Sequence, residues 1–194
     1  MRLAEITHPA RAARAALVAL AFTVAMAVPS LSSAGHWAAA LKPFVAGAQI
    51  SERLVPGGDV GCLPKSPGTD STAIGTIEGS GLATMGIGKF TLTSVDCVRA
   101  SNPYFLPPYA FSSRSFKLRT QDGDEIVASY NGTATLDPVT LLLELDGSFE
   151  FTGGTGKYRN VRGSGRLIGV EDMSGVASGQ PARGFVTMTG YIKH

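Results

Sequence analysis

Histidine, cysteine and charge are scarce in this 194-residue chain: three His, two Cys, one Trp, and only 16% Asp, Glu, Lys and Arg. Beyond residue 34 the histidines are His36 and His194 alone, which leaves no internal imidazole as a general base. A Gly-x-Ser-x-Gly nucleophile elbow and a His-Glu-x-x-His metal helix are both missing, so serine hydrolysis and zinc catalysis are not expected. With Cys62 and Cys97 as the remaining soft ligands, no metal site is expected, and no motif calls for a cofactor. Low charge and 44% hydrophobic residues exclude a disordered acidic or basic tail and fit one globular domain.

The N-terminal stretch reads as a signal peptide. Arg2, Arg11 and Arg14 precede an apolar run from Ala15 to Val28, and Pro29 leads into the small residues Ser32-Ser33-Ala34. The run is about 14 residues, short of the ~20 that span a bilayer as helix, so cleavage after Ala34 is expected, with a secreted or periplasmic product and no stable membrane insertion. The expected organisation is therefore 1–34 signal peptide and 35–194 mature domain. Removing residues 1–34 takes away three of the 17 Lys and Arg and one of the 15 Asp and Glu, which leaves the two signs equal. A neutral domain gives no electrostatic reason to expect nucleic acid as a partner. In an oxidising compartment an even cysteine count favours pairing, and a Cys62–Cys97 disulfide is expected.

What is abundant is glycine, 24 residues of it, and alternation. Leu141, Leu143, Leu145, Phe149 and Phe151 alternate with Glu144, Asp146, Ser148 and Glu150, the period of a strand with one buried face. Comparable runs lie at 44–52, 74–83, 89–98, 114–120, 125–135, 161–171 and 184–192, about eight strands in all. Gln121-Asp122-Gly123-Asp124 and Met85 to Gly88 are short hairpin turns. Eight antiparallel strands without crossover helices predict an all-β fold, a single eight-stranded antiparallel β-barrel after the leader; a β-sandwich has the same alternation.

The segment Phe151 to Gly163 contains Gly153-Gly154-Thr155-Gly156-Lys157-Tyr158. A phosphate loop would need glycine at Phe151 and Ser or Thr at Tyr158, and would open a helix rather than join two strands. The segment instead resembles the G-G-[ST]-G-x-[FY] turn of the allene oxide cyclase and dirigent barrel superfamily, nearest to its bacterial secreted members. That resemblance rests on Gly153, Gly154, Thr155, Gly156 and Tyr158, and loosely on the strand pattern of residues 72–192. It implies a calycin-like barrel, a trimer or other homo-oligomer, and an isomerase or cyclase activity. The cyclases carry a catalytic Glu in a segment like Glu-Ile-Asn-Glu-Arg; here Gln49-Ile50-Ser51-Glu52-Arg53 has Gln49 at that position.

Three other groups bear on function. Glu144, Asp146 and Glu150 share one strand face, read as a solvated exterior. Lys157, Arg159, Arg162 and Arg166 form the one basic cluster, read as balanced by nearby acids. The stretch Asn102 to Phe111 gathers aromatics and prolines and is open to three readings: a lid at a barrel mouth, a plug on its rim, or an interface. The leading functional expectation is a non-enzymatic barrel that binds a small apolar or aromatic ligand, or a partner protein, with Tyr130, Phe149, Phe151 and Tyr191 as lining. The alternative is an isomerase or cyclase that steers a reactive intermediate, and an acid with a perturbed pKa inside the pocket would favour it.

Overall fold

The computed structural model describes residues 41–193, and the leader expected at 1–34 and its cleavage site lie outside them. Eight strands follow in chain order: β1 (Lys42–Pro56), β2 (Ser71–Ala83), β3 (Gly88–Ala100), β4 (Tyr109–Thr120), β5 (Glu125–Leu136), β6 (Leu142–Gly154), β7 (Arg162–Asp172) and β8 (Ala182–Lys193). Each pairs antiparallel with the next, and β8 returns to β1, with Lys42 opposite Ile192 and Glu52 opposite Ala182. The expected barrel is closed, so no sheet edge is left.

Alternation fixes which residues point inward. On β1 these are Phe44, Ala46, Ala48, Ile50 and Glu52, and on β3 Phe90, Leu92, Ser94, Asp96 and Val98. Two departures from the sequence reading have local causes. β4 starts at Tyr109 rather than at 114, because an irregularity between Ser112 and Phe116 switches its inward phase from Phe111 to Phe116, Leu118 and Thr120. Leu141 is not a strand residue: it has a positive φ of 57° in the turn before β6, and the inward phase there starts at Leu143.

The two ends of the barrel differ. At one end Phe44, Phe149 and Phe151 pack edge to face, with ring centroids 5.0–5.9 Å apart, and seal the interior. The Gly153 to Tyr158 turn reinforces this floor. Thr155 N–H donates to Glu125 O at 2.8 Å, the Thr155 hydroxyl accepts from Glu125 N–H at 2.8 Å, and Tyr158 is buried under a short 3-10 turn, Gly156–Tyr158. Gly156 has a φ of 50°, and a side chain there would run into the Asp124 carboxylate, so glycine is required where the turn docks on the β4–β5 hairpin. At the other end lie the longer connections 57–70, 101–108, 137–141 and 173–181. Cys62 in the first of these is bonded to Cys97 on β3, which is the expected disulfide.

Candidate functional site

Between the aromatic floor and the longer connections the barrel holds a cavity of about 70 Å³. Its walls are almost wholly apolar, including Ile50, Leu92, Phe116, Leu143 and Met188. That volume exceeds the roughly 10–15 Å³ needed by one water on the same measure. The Asn102 to Phe111 stretch reaches the cavity through Phe105, Tyr109 and Phe111, the rings of the first two 4.9 Å apart, while Tyr104 and Leu106 stay exposed. Asn102 holds this loop in shape: its side-chain oxygen accepts from Tyr104 N–H at 3.1 Å and Leu106 N–H at 2.9 Å, and its amide donates to Leu106 O at 2.7 Å. Ser71 at the start of β2 donates to Asn102 O at 2.6 Å and accepts from Phe105 N–H at 3.0 Å, which ties the loop to the rim.

The polar part of the wall is a cluster of acids from three strands, joined by one tyrosine. Glu52 (β1), Asp96 (β3) and Glu171 (β7) line the cavity with Tyr130 (β5), and each carboxylic residue is at most 6% exposed. The Tyr130 hydroxyl donates to Asp96, 2.6 and 2.7 Å from its two oxygens, and lies 2.9 Å from Ser94 Oγ. Ser94 itself lies within hydrogen-bond reach of Asp96 and, at 2.9 Å, of Ser115 O. Glu52 and Glu171 bond to each other, and no N–H or hydroxyl of the described residues donates to either of them. Glu171 Oε2 has no hydrogen-bond partner among the described residues, so a proton held between the two carboxyls is the one hydrogen bond open to the pair. Gly75 on β2 makes the room: a side chain there would collide with the Glu52 carboxyl.

Burial sets the protonation of the cluster. Glu52 is pushed well above the usual carboxylate range, first by loss of water, then by the Glu171 charge and hydrogen bond and by Asp96. Glu171 is raised by burial against the opposing Glu52 hydrogen bond, and Asp96 by burial against the Ser94 and Tyr130 hydroxyls. Tyr130 is raised by burial and by the adjacent Asp96 charge, so it stays a phenol and donates.

These shifts make stability depend on pH. A carboxyl whose folded pKa is raised holds its proton more strongly in the folded chain. That contribution is complete below about pH 4.3, where unfolded Glu titrates, and is lost as pH rises through the folded value. The exposed Asp59, Asp137, Asp146 and Asp172 are shifted down by hydrogen bonds and act only at lower pH. The thermal unfolding midpoint is thus expected to fall between pH 5 and pH 8. Glu52→Gln, which replaces the most strongly shifted of these acids by a side chain that does not titrate, should flatten that profile. An unchanged profile in the variant would mean that Glu52 is solvated.

The residues expected from sequence divide. Tyr130 lines the cavity. Phe149 and Phe151 are buried in the aromatic floor and do not line it. Tyr191, expected on the lining, is 58% exposed: β8 turns its even-numbered residues Met188 and Ile192 inward, and Tyr191 falls on the outer phase. Gln49 likewise faces outward, whereas Glu52, three residues on, faces the cavity. Glu144, Asp146 and Glu150 are exterior. Arg166 binds Asp146 through two contacts at 2.9 and 3.0 Å, Lys157 pairs with Asp122 at 2.9 Å, and Arg162 donates to the backbone carbonyls of Thr152 and Val161. Among the described residues no group of three or more His, Cys, Asp or Glu could hold a metal ion. No protein-family model, curated protein or solved structure matches this chain, so the chemistry of the cavity is read from its own residues.

Proposed function

We propose that the chain is exported, cut after Ala34, and works outside the reducing cytoplasm as a barrel that binds one small, mainly apolar or aromatic molecule. The observation that carries this reading is the cavity: apolar on nearly all sides, with Glu52, Asp96, Glu171 and Tyr130 converging on it. The Cys62–Cys97 bond supports the compartment. Apolar walls give affinity through burial, and one polar cluster fixes the orientation of a ligand.

The test is a native mass spectrum of the full chain expressed with its own leader and purified from the exported fraction. A protein beginning at Gly35, carrying extra mass that is lost on denaturation, is the expected result. A clean apo mass that stays unchanged after incubation with a panel of small aromatic compounds would remove the binding reading.

A second reading is favoured by one observation. Glu52 is a buried carboxyl with a raised pKa that lines the cavity, and can act there as a general acid. This supports an isomerase or cyclase, as the superfamily resemblance implies. A co-purified molecule returned as an isomer of equal mass and altered retention time would establish turnover; a molecule returned unchanged leaves a binder.

A further inference from the structure

We propose that the cavity is built for a protonated amine on a small apolar skeleton, held by its ammonium group against Glu52 and Glu171. The inference rests on the binding reading above and names the class of molecule.

It starts from a shortage of donors. Glu52, Glu171 and Asp96 bring six carboxyl oxygens to one cavity. The hydroxyls of Tyr130 and Ser94 are both engaged at Asp96, and the Tyr109 hydroxyl, also on the lining, donates to Phe105 O at 3.2 Å. Glu52 and Glu171 are left with only a proton of their own to share, and Glu171 Oε2, on a side chain 1% exposed, has no donor among the described residues. A buried acceptor in this condition costs free energy until a donor arrives.

Charge points the same way. The cavity lining contains no Lys, Arg or His. Besides the three acids it presents Tyr130 from β5 and Tyr109 from β4, while β2, β6 and β8 present no titratable side chain. Every ionisable group there is either neutral or negative, so the field inside favours a cation and opposes a carboxylate or phosphate ligand. An alcohol would supply one donor; an ammonium supplies up to three and pairs with the carboxylates through charge-assisted bonds, about twice as strong as neutral ones.

Binding then follows a balanced exchange. The ammonium takes the place of the proton shared by Glu52 and Glu171, the pair becomes ionised, and that proton leaves to solvent. The ligand skeleton meets the apolar wall formed by residues such as Ile50, Phe116 and Leu143.

The experiment compares matched amines and alcohols, from butyl to 2-phenylethyl, by titration calorimetry on the full exported chain at pH 7.5 in two buffers of different ionisation enthalpy. At least one amine is expected to bind about tenfold more tightly than its alcohol, with close to one proton released per amine. In Glu52→Gln/Glu171→Gln the ratio of amine to alcohol affinity should shrink to about twofold. Glu171→Gln alone serves if the double variant does not fold. Equal binding of amine and alcohol, or a preference that survives the substitutions, would overturn the amine assignment and leave the binding reading standing. Failure of every amine and every alcohol to bind would overturn both.

Discussion

Phe151→Ala is expected to lower the stability of the barrel by about 3–5 kcal/mol, the usual loss for a fully buried phenylalanine. Phe151 is 0% exposed, and its ring meets Phe44 at 5.0 Å and Phe149 at 5.1 Å. The contact with Phe44 joins β6 to β1 across the β7–β8 segment, so the gap left by alanine is framed by backbone that the closed ladder prevents from moving inward. Urea unfolding at fixed pH measures the loss as a shift of the midpoint at constant slope. The folded variant should keep the cavity lining and its acid cluster in place, because Phe151 is not part of that lining. A loss under about 1 kcal/mol would mean that Phe44 and Phe149 close over the gap.

Removing the disulfide by Cys62→Ala/Cys97→Ala is expected to cost a similar amount, about 4 kcal/mol by the chain-entropy account for a loop of about 36 residues. The bond has a second task besides shortening the unfolded chain. Cys97 stands on the outward phase of β3 yet is 1% exposed, since the 57–70 connection folds over it. Arg114 reinforces that docking through Asp59 at 2.6 Å, and Arg99 donates to Leu63 O at 3.3 Å. The loss should therefore come with protease sensitivity within 57–70 that the native protein does not show. Both sulfurs being buried, mild reductant should leave the folded protein intact and act only when it opens. Equal stability of native and Ala/Ala proteins would show that loop docking alone restrains this segment.

The barrel was legible in the sequence because antiparallel meanders write their pattern locally. Leu143, Leu145, Phe149 and Phe151 alternate with acids, and Asp122-Gly123 marks the hairpin. The part of β4 before Arg114 was not legible, because the irregularity near Ser113 changes phase in mid-strand. The Gly-rich turn stood out for its composition, and its role proved to be docking a buried Tyr158 under the floor. The acid cluster was hidden for a different reason. Exterior acids such as Glu144 and Glu150 announce themselves by alternating with leucine, whereas Glu52, Asp96 and Glu171 sit on the apolar phase itself. Each was visible as a phase violation: Glu52 follows Phe44, Ala46, Ala48 and Ile50 at even spacing, and Asp96 follows Phe90, Leu92 and Ser94. On β7 the signal is weaker, because the inward positions before Glu171 are mostly glycine. Which of these acids meet depends on strands far apart in sequence, and alternation carries no information about that.

Closure of β8 on β1 has a kinetic consequence. Seven of the eight strand pairings join neighbours in the chain and can form as successive hairpins, but the eighth unites residues 42–52 with residues 182–192. The last strand made is therefore the one that completes the first. Until it arrives, the chain is an open sheet with two bare edges and its acid-bearing face exposed to water. A polypeptide made N-terminus first must keep that sheet from pairing with its neighbours until residues 182–192 are available, and its refolding rate should be governed by this single encounter of β8 with β1.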